Sequence, residues 1–222
     1  TITDAYIVKV NGVPVPVMGV PMPENRIVEA LRHPYSFTLF DADGEVTVEV
    51  TSRWFDMDHV AILPESKGVK PLEKSGNTVV FRATPPFTLA VEPRGRHDAL
   101  ILAANLPEMD APAPGTPGVV FFGPGRHHPE RIALKGGETL YLAGGAWVEG
   151  GVFACGDNVT IRGRGVLSGV PWPWLHGPEI TGGKPVVSMH SAVDLSGNMM
   201  RISGRGISVR DVTLLSAWGW CL

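Results

Sequence analysis

Cysteine is nearly absent from this chain. Only Cys155 and Cys221 occur in 222 residues, too few for a disulfide framework in a chain of this length. Each has apolar neighbours, so both are expected to be buried thiols rather than a bonded pair. Net charge is small, −3 at pH 7, without the basic excess that nucleic-acid binding requires. No apolar run reaches the roughly 18 residues needed to span a bilayer, and the N-terminus carries no signal-peptide pattern. Helical periodicity is also scarce: Pro23 to Arg32, with Ile27, Val28 and Leu31 to one side, is the single plausible helical turn. Neither nucleic acid nor a membrane is expected as a partner, and nothing in the composition implies a cofactor.

Turn formers are plentiful instead, with 27 glycines and 20 prolines. A hydrophobic share of 44% against 18% charged is ordinary for a chain with a core. Together these describe an all-β chain with many turns. Tyr6–Val10 leads through Asn11-Gly12 into Val13-Pro14-Val15-Pro16-Val17, a hairpin whose second strand belongs at an edge because its prolines lack a ladder donor. Ser36–Phe40 and Glu45–Thr51 flank Asp41-Ala42-Asp43-Gly44 and read as a second hairpin. Further alternations run over Val60–Leu63, Thr78–Arg82, Phe87–Val91 and Leu100–Ala103, with a turn at Ser75-Gly76-Asn77. Short strands between turn signals predict an antiparallel β-sandwich over residues 1–106. Leu106 to Gly118 then holds four prolines and two glycines, an extended, solvated linker over 107–118.

From Val119 onward, short apolar alternations recur and each closes on glycine: Thr139–Leu142 before Gly144-Gly145, and Asn158–Arg162 before Gly163. Strands returning at short intervals predict a coil stacked on itself, a parallel β-helix over 119–222. Val159-Thr160-Ile161-Arg162 matches Ile207-Ser208-Val209-Arg210 at an offset of 48 (207 − 159), which reads as two turns. Leu140 and Leu142 precede Val159 and Ile161 by 19, one shorter turn. The regularity breaks after Gly169, where a proline- and tryptophan-rich loop is expected to project and to close near Val193-Asp194-Leu195. The coil pattern runs on to Leu222 without a polar cap. This predicts a longer protein of which these are the first coils, and self-association through the open end.

Phe122-Gly123-Pro124-Gly125, followed by Leu134-Lys135-Gly136-Gly137-Glu138-Thr139-Leu140-Tyr141-Leu142-Ala143-Gly144-Gly145-Ala146, resembles the opening coil of polygalacturonase-like glycoside hydrolases of the pectin-lyase-like type. Asn158 to Gly165 and Val212 to Ser216 resemble the turns that follow. The likeness covers residues 119–222, with a looser one upstream to the β-sandwich that precedes the β-helix in dextranase-like relatives. It implies a right-handed parallel β-helix, a polysaccharide or oligosaccharide substrate of pectic or related type, and a secreted or periplasmic location. It also implies carboxylates on middle coils, in Asn-Thr-Asp and Asp-Asp motifs followed by His-Gly and Arg-Ile-Lys. Neither acidic motif occurs here. His176-Gly177 precedes any acidic pair, Arg201-Ile202-Ser203 lacks the lysine, and neither role is carried over. The catalytic acids are therefore expected beyond Leu222, and this segment alone is expected to be inactive. A calcium-dependent lyase and a non-catalytic, tailspike-type β-helix are the alternatives.

Sugar contacts remain as candidates within the chain. Trp218 and Trp220 lie at i and i+2, on one side of an ideal strand, where they could stack on pyranose rings. Trp172 and Trp174 could line one end of a cleft. His127-His128 makes a poor metal site, since neighbouring strand residues point apart, and reads as a solvated corner. Charge is uneven: residues 119–222 carry nine Lys and Arg against seven Asp and Glu, whereas 1–118 carry ten against fifteen.

Overall fold

The computed structural model describes residues 5–20, 35–95, 98–170, 179–181, 184–186 and 198–217. The helical turn read over Pro23–Arg32 and the loop closure near Val193–Leu195 lie outside them. The structure is all-β, and the chain divides into two compact units, Thr1–Met109 and Asp110–Leu222. Among the described residues no helix is long and apolar enough to cross a membrane.

The first unit is a β-sandwich with ten strands among its described residues: β1 (Tyr6–Val10), β2 (Val13–Val15), β3 (Met18–Val20), β4 (Tyr35–Asp41), β5 (Val46–Ser52), β6 (Ala61–Leu63), β7 (Pro71–Ser75), β8 (Thr78–Ala83), β9 (Phe87–Glu92) and β10 (Leu100–Asn105). One sheet runs β2-β1-β5-β8-β7 and the other β3-β4-β10-β9-β6. All pairs are antiparallel except β4 with β10, which is parallel. The Asn11-Gly12 hairpin forms as read, with both residues at positive φ and β2 at a sheet edge. The second hairpin does not. β4 and β5 belong to different sheets, so Asp41 to Gly44 carries the chain from one layer to the other. Strict alternation explains the layers: Val46, Val48 and Val50 are buried with Phe81, Leu89 and Leu102 in one core, each such side chain worth roughly 1.5–3 kcal/mol.

The second unit is a parallel β-helix built from β11 (Val119–Phe122), β12 (Gly125–Lys135), β13 (Thr139–Leu142), β14 (Ala146–Cys155), β15 (Thr160–Gly163), β16 (Val166–Ser168), a small antiparallel pair β17 (Glu179–Thr181) and β18 (Lys184–Val186), then β19 (Met200–Ser203), β20 (Ser208–Arg210) and β21 (Thr213–Leu215). β11, β13, β15 and β20 stack in parallel as face A. β12 and β14 are long enough to serve two faces. The first part of β14 pairs with β16, which pairs with β21, and this is face B. Its second part pairs with β19, and this is face C.

Register corrects the sequence reading in two places. Leu140 stacks on Ile161 rather than on Val159. Ile161 stacks directly on Val209, so the offset of 48 is one coil and not two. The extra length sits at the corner between faces B and C. Coil two turns there with Gly150 and Gly151 alone, whereas coil three leaves after Ser168 and returns at Met200. Inward ladders then fill the coil: Val120, Leu140, Ile161 and Val209 on face A, and Val148, Leu167 and Leu214 on face B.

Two glycine positions are dictated by this stacking. Gly163 lies at φ 129°, and a Cβ there would sit 2.0 Å from the Leu142 carbonyl oxygen. Gly204 lies at φ 153°, and its Cβ would come 2.0 Å from the carbonyl oxygen of Gly156 below. No side chain fits at either corner.

Candidate functional site

On a β-helix, residues that point outward from the coils are available for chemistry, and a buried charged residue among them is informative. Glu149 is such a residue. It follows inward-facing Val148 on face B, yet its side chain is only 1% exposed. Burial of a carboxylate requires donors, and the neighbouring positions supply them. Oε1 accepts from Arg126 Nε at 2.9 Å, from Arg126 Nη2 at 2.5 Å and from Trp147 Nε1 at 3.0 Å. Oε2 lies 2.5 Å from His128 Nδ1. That contact is not aligned as a hydrogen bond, and Oε2 has no other partner among the described residues.

The backbone explains how His128 reaches there. β12 breaks register between His127 and Glu130, and Glu130 takes a positive φ of 55°. Such a bulge re-aims side chains and is a common device beside sites. His127 turns the other way, its Nε2 2.8 Å from the Gly123 carbonyl oxygen and its ring edge-on to Phe122. The two histidines thus do point apart, and His128, which is exposed, lies in β12 at the register break beside the corner between faces B and C. The side chains of Arg126 and His128 are 62% and 60% exposed, so the site has a buried carboxyl group at its floor and a polar rim open to solvent. The imidazole of His128 stands with Nδ1 against the buried Glu149 carboxyl while its side chain remains on the exposed rim.

Face A carries a second constellation. Its outward ladder runs Phe121, Tyr141, Arg162, Arg210. Phe121 and Tyr141 stack at 5.4 Å, and the Arg162 guanidinium lies 5.4 Å from the Tyr141 ring centroid. Asp110 sits on both arginines: Arg162 Nη2 donates to its carbonyl oxygen at 2.6 Å, Arg162 Nη1 is 3.0 Å from Oδ1, and Arg210 Nη2 is 3.5 Å from Oδ2. Asp211 shares Arg210 at 2.9 Å and faces Arg164 at 3.5 Å. The hydrogen bond from Arg162, aided by the charges of Arg162 and Arg210, holds the Asp110 carboxyl below the usual carboxylate range. A general acid needs the opposite shift, so Asp110 is unsuited to protonate a leaving group.

Trp172, Trp174, Trp218 and Trp220 all lie outside the described residues. Cys155 is exposed on the outward side of face C, which corrects the expectation of a buried thiol: it occupies an odd, outward position between Ala154 and the corner. Among the described residues no cluster of three or more His, Cys, Asp or Glu side chains could hold a metal ion. The Glu149 cluster escaped the sequence reading, because Arg126 and His128 meet Glu149 only through coil register. The one available signal was an acid, Glu149, placed in a coil strand just before Gly150-Gly151.

Among solved structures the chain is similar to Dex49A from Penicillium minioluteum, with a TM-score of 0.64 at 13% sequence identity. The match covers 98% of this chain and 54% of that one, so this chain spans about half of its length. At this identity the likeness is one of fold. No family model matches the sequence, and none of the curated proteins does.

Proposed function

We propose that the chain is the N-terminal part of a polysaccharide-degrading glycoside hydrolase, acting on pectic or related polymers, with its catalytic carboxyl groups on coils beyond residue 222. The observation that carries this reading is the order of parts: a β-sandwich followed by stacked parallel coils, matched over 98% of the chain by a Dex49A structure nearly twice as long. The sequence likeness to polygalacturonase-like and dextranase-like glycosidases supports the same class.

Glycosidic hydrolysis needs two carboxyl groups flanking the bond, one of them protonated. Glu149 faces donors and no second acid, and Asp110 is held ionised. In this reading Arg126, His128 and Trp147 contact sugar hydroxyls, and Trp172, Trp174, Trp218 and Trp220 supply stacking surfaces. The family resemblance favours a secreted or periplasmic location. Product analysis tests the class. Hydrolysis by the protein extended past Leu222 releases reducing ends without an unsaturated sugar; an unsaturated end would make it a lyase, and intact polymer would favour a binding β-helix.

A further inference from the structure

Face C has so far only a structural role. Its outward side chains include Arg131 and Lys135 from the first coil, Phe153 from the second and Arg201 from the third, with Phe153 and Arg201 in one cross-strand row. The guanidinium of Arg131 lies 4.8 Å from the centroid of the Phe153 ring and that of Arg201 lies 5.9 Å from it. Both arginines are exposed. Among the described residues neither has an ion-pair partner, in contrast to Arg126, Arg162 and Arg210 on the other faces. The acids at the adjoining corner are engaged by backbone: Glu138 Oε2 accepts from the Lys135 amide at 2.7 Å, and Asp157 Oδ1 accepts from the Arg205 amide at 2.8 Å. Among the described residues, a chain of net charge −3 therefore displays on face C an exposed basic strip whose arginines have no ion-pair partner.

We propose that face C binds an anionic polysaccharide through carboxylate or sulfate groups carried on its pyranose rings. Guanidinium planes recognise such groups by paired N–H donors. Stacking on Phe153 fixes both planes beforehand, so less side-chain freedom is lost on binding. Arg131 and Arg201 come from strands two coils apart, about 10 Å along the stack at the usual strand spacing, and both lean on the Phe153 ring, so they can grip charges carried by one sugar strand. The strip is separate from the Glu149 and Asp110 constellations; that its ligand is a sugar polymer rests on the glycosidase reading, whereas the binding test below is independent of hydrolysis.

The test is affinity electrophoresis of the 222-residue chain in gels containing polygalacturonate, dextran sulfate or neutral dextran. The expected result is retardation by one or both polyanions and none by neutral dextran, weakening as salt is added. The arm that retards identifies carboxylate or sulfate as the group read. Arg131→Gln with Arg201→Gln should lower the apparent affinity about tenfold or more, a loss of two charge-assisted contacts, while circular dichroism stays that of the parent. Should the double variant fail to fold, Arg131→Gln alone should give a several-fold loss. Absence of retardation by both polyanions, equal retardation by neutral dextran, or equal retardation of parent and variant would overturn the proposal.

Discussion

Gly163 shows how much a single position carries in a stacked coil. Alanine there would place a Cβ 2.0 Å from the Leu142 carbonyl oxygen at φ 129°. The Gly163→Ala change should therefore destabilise the β-helix by about 3 kcal/mol or more, since both strain and backbone displacement contribute. Gly44 also has positive φ, at 72°, but its added Cβ meets nothing within 4 Å. Gly44→Ala should thus cost only about 1 kcal/mol, and urea unfolding of both variants checks the contrast. Tyr6 gives a pH signature. Burial first, then the charge of Asp98, opposed by Arg94, pushes its phenol pKa well up, and its hydroxyl donates to the Asp98 carbonyl oxygen. A raised pKa means that this contribution is fully present below the ordinary phenol value near 10 and is lost as pH rises beyond it. Ultraviolet titration should find Tyr6 still protonated at a pH where exposed tyrosines ionise, until the sandwich unfolds. At this scale the sequence was legible for inward residues such as Leu140, Ile161 and Val209, whose side is set by alternation. Glu149 was not, because its burial depends on Arg126 and His128 from another coil.

At the scale of elements, the linker stretch is largely exposed and is tied down at Asp110. Asp110 is tied to Arg162 of β15 and Arg210 of β20, whereas Met109 just before it is 92% exposed and Leu106 is 47% exposed. Limited proteolysis should therefore cut first between Leu106 and Met109 and spare the chain from Asp110 onward. Asp110→Asn should extend cleavage toward Gly118, and so should acid, because a depressed carboxyl pKa loses its stabilising charge as pH falls through its folded value. Cleavage spread evenly from Leu106 to Gly118 in the parent would show the clamp to be ineffective. Strand positions were readable here from apolar alternation and turn residues, as at Asn11-Gly12 and Ser75-Gly76. Pairing was less so. Asp41 to Gly44 has the chemistry of a hairpin turn, yet it connects two layers, because a turn residue fixes a local bend and not the partner of the next strand. The 48-residue offset was likewise misread as two turns, since an excursion from a corner leaves the ladder match between Ile161 and Val209 intact.

At the scale of the whole molecule, the stack is unevenly covered. Val209 is 36% exposed, whereas Ile161, the ladder neighbour beneath it, is fully buried. We propose that the chain self-associates through this end or frays there. Amides of residues 207–215 should then exchange far faster than those of 139–142, and protein extended past Leu222 should protect both. Equal protection in a monomeric 222-residue chain would contradict this. Under the proposed function, this chain supplies the sandwich and first coils of a glycosidase whose acids follow. Reducing-end release from polygalacturonate and dextran, measured side by side for the 222-residue chain and for protein extended past Leu222, tests it most directly. The account predicts release by the longer protein, abolished by replacing one of its added carboxylates, and none by the 222-residue chain. Turnover by the 222-residue chain that is lost on changing Glu149, Asp110 or Asp211 would contradict it.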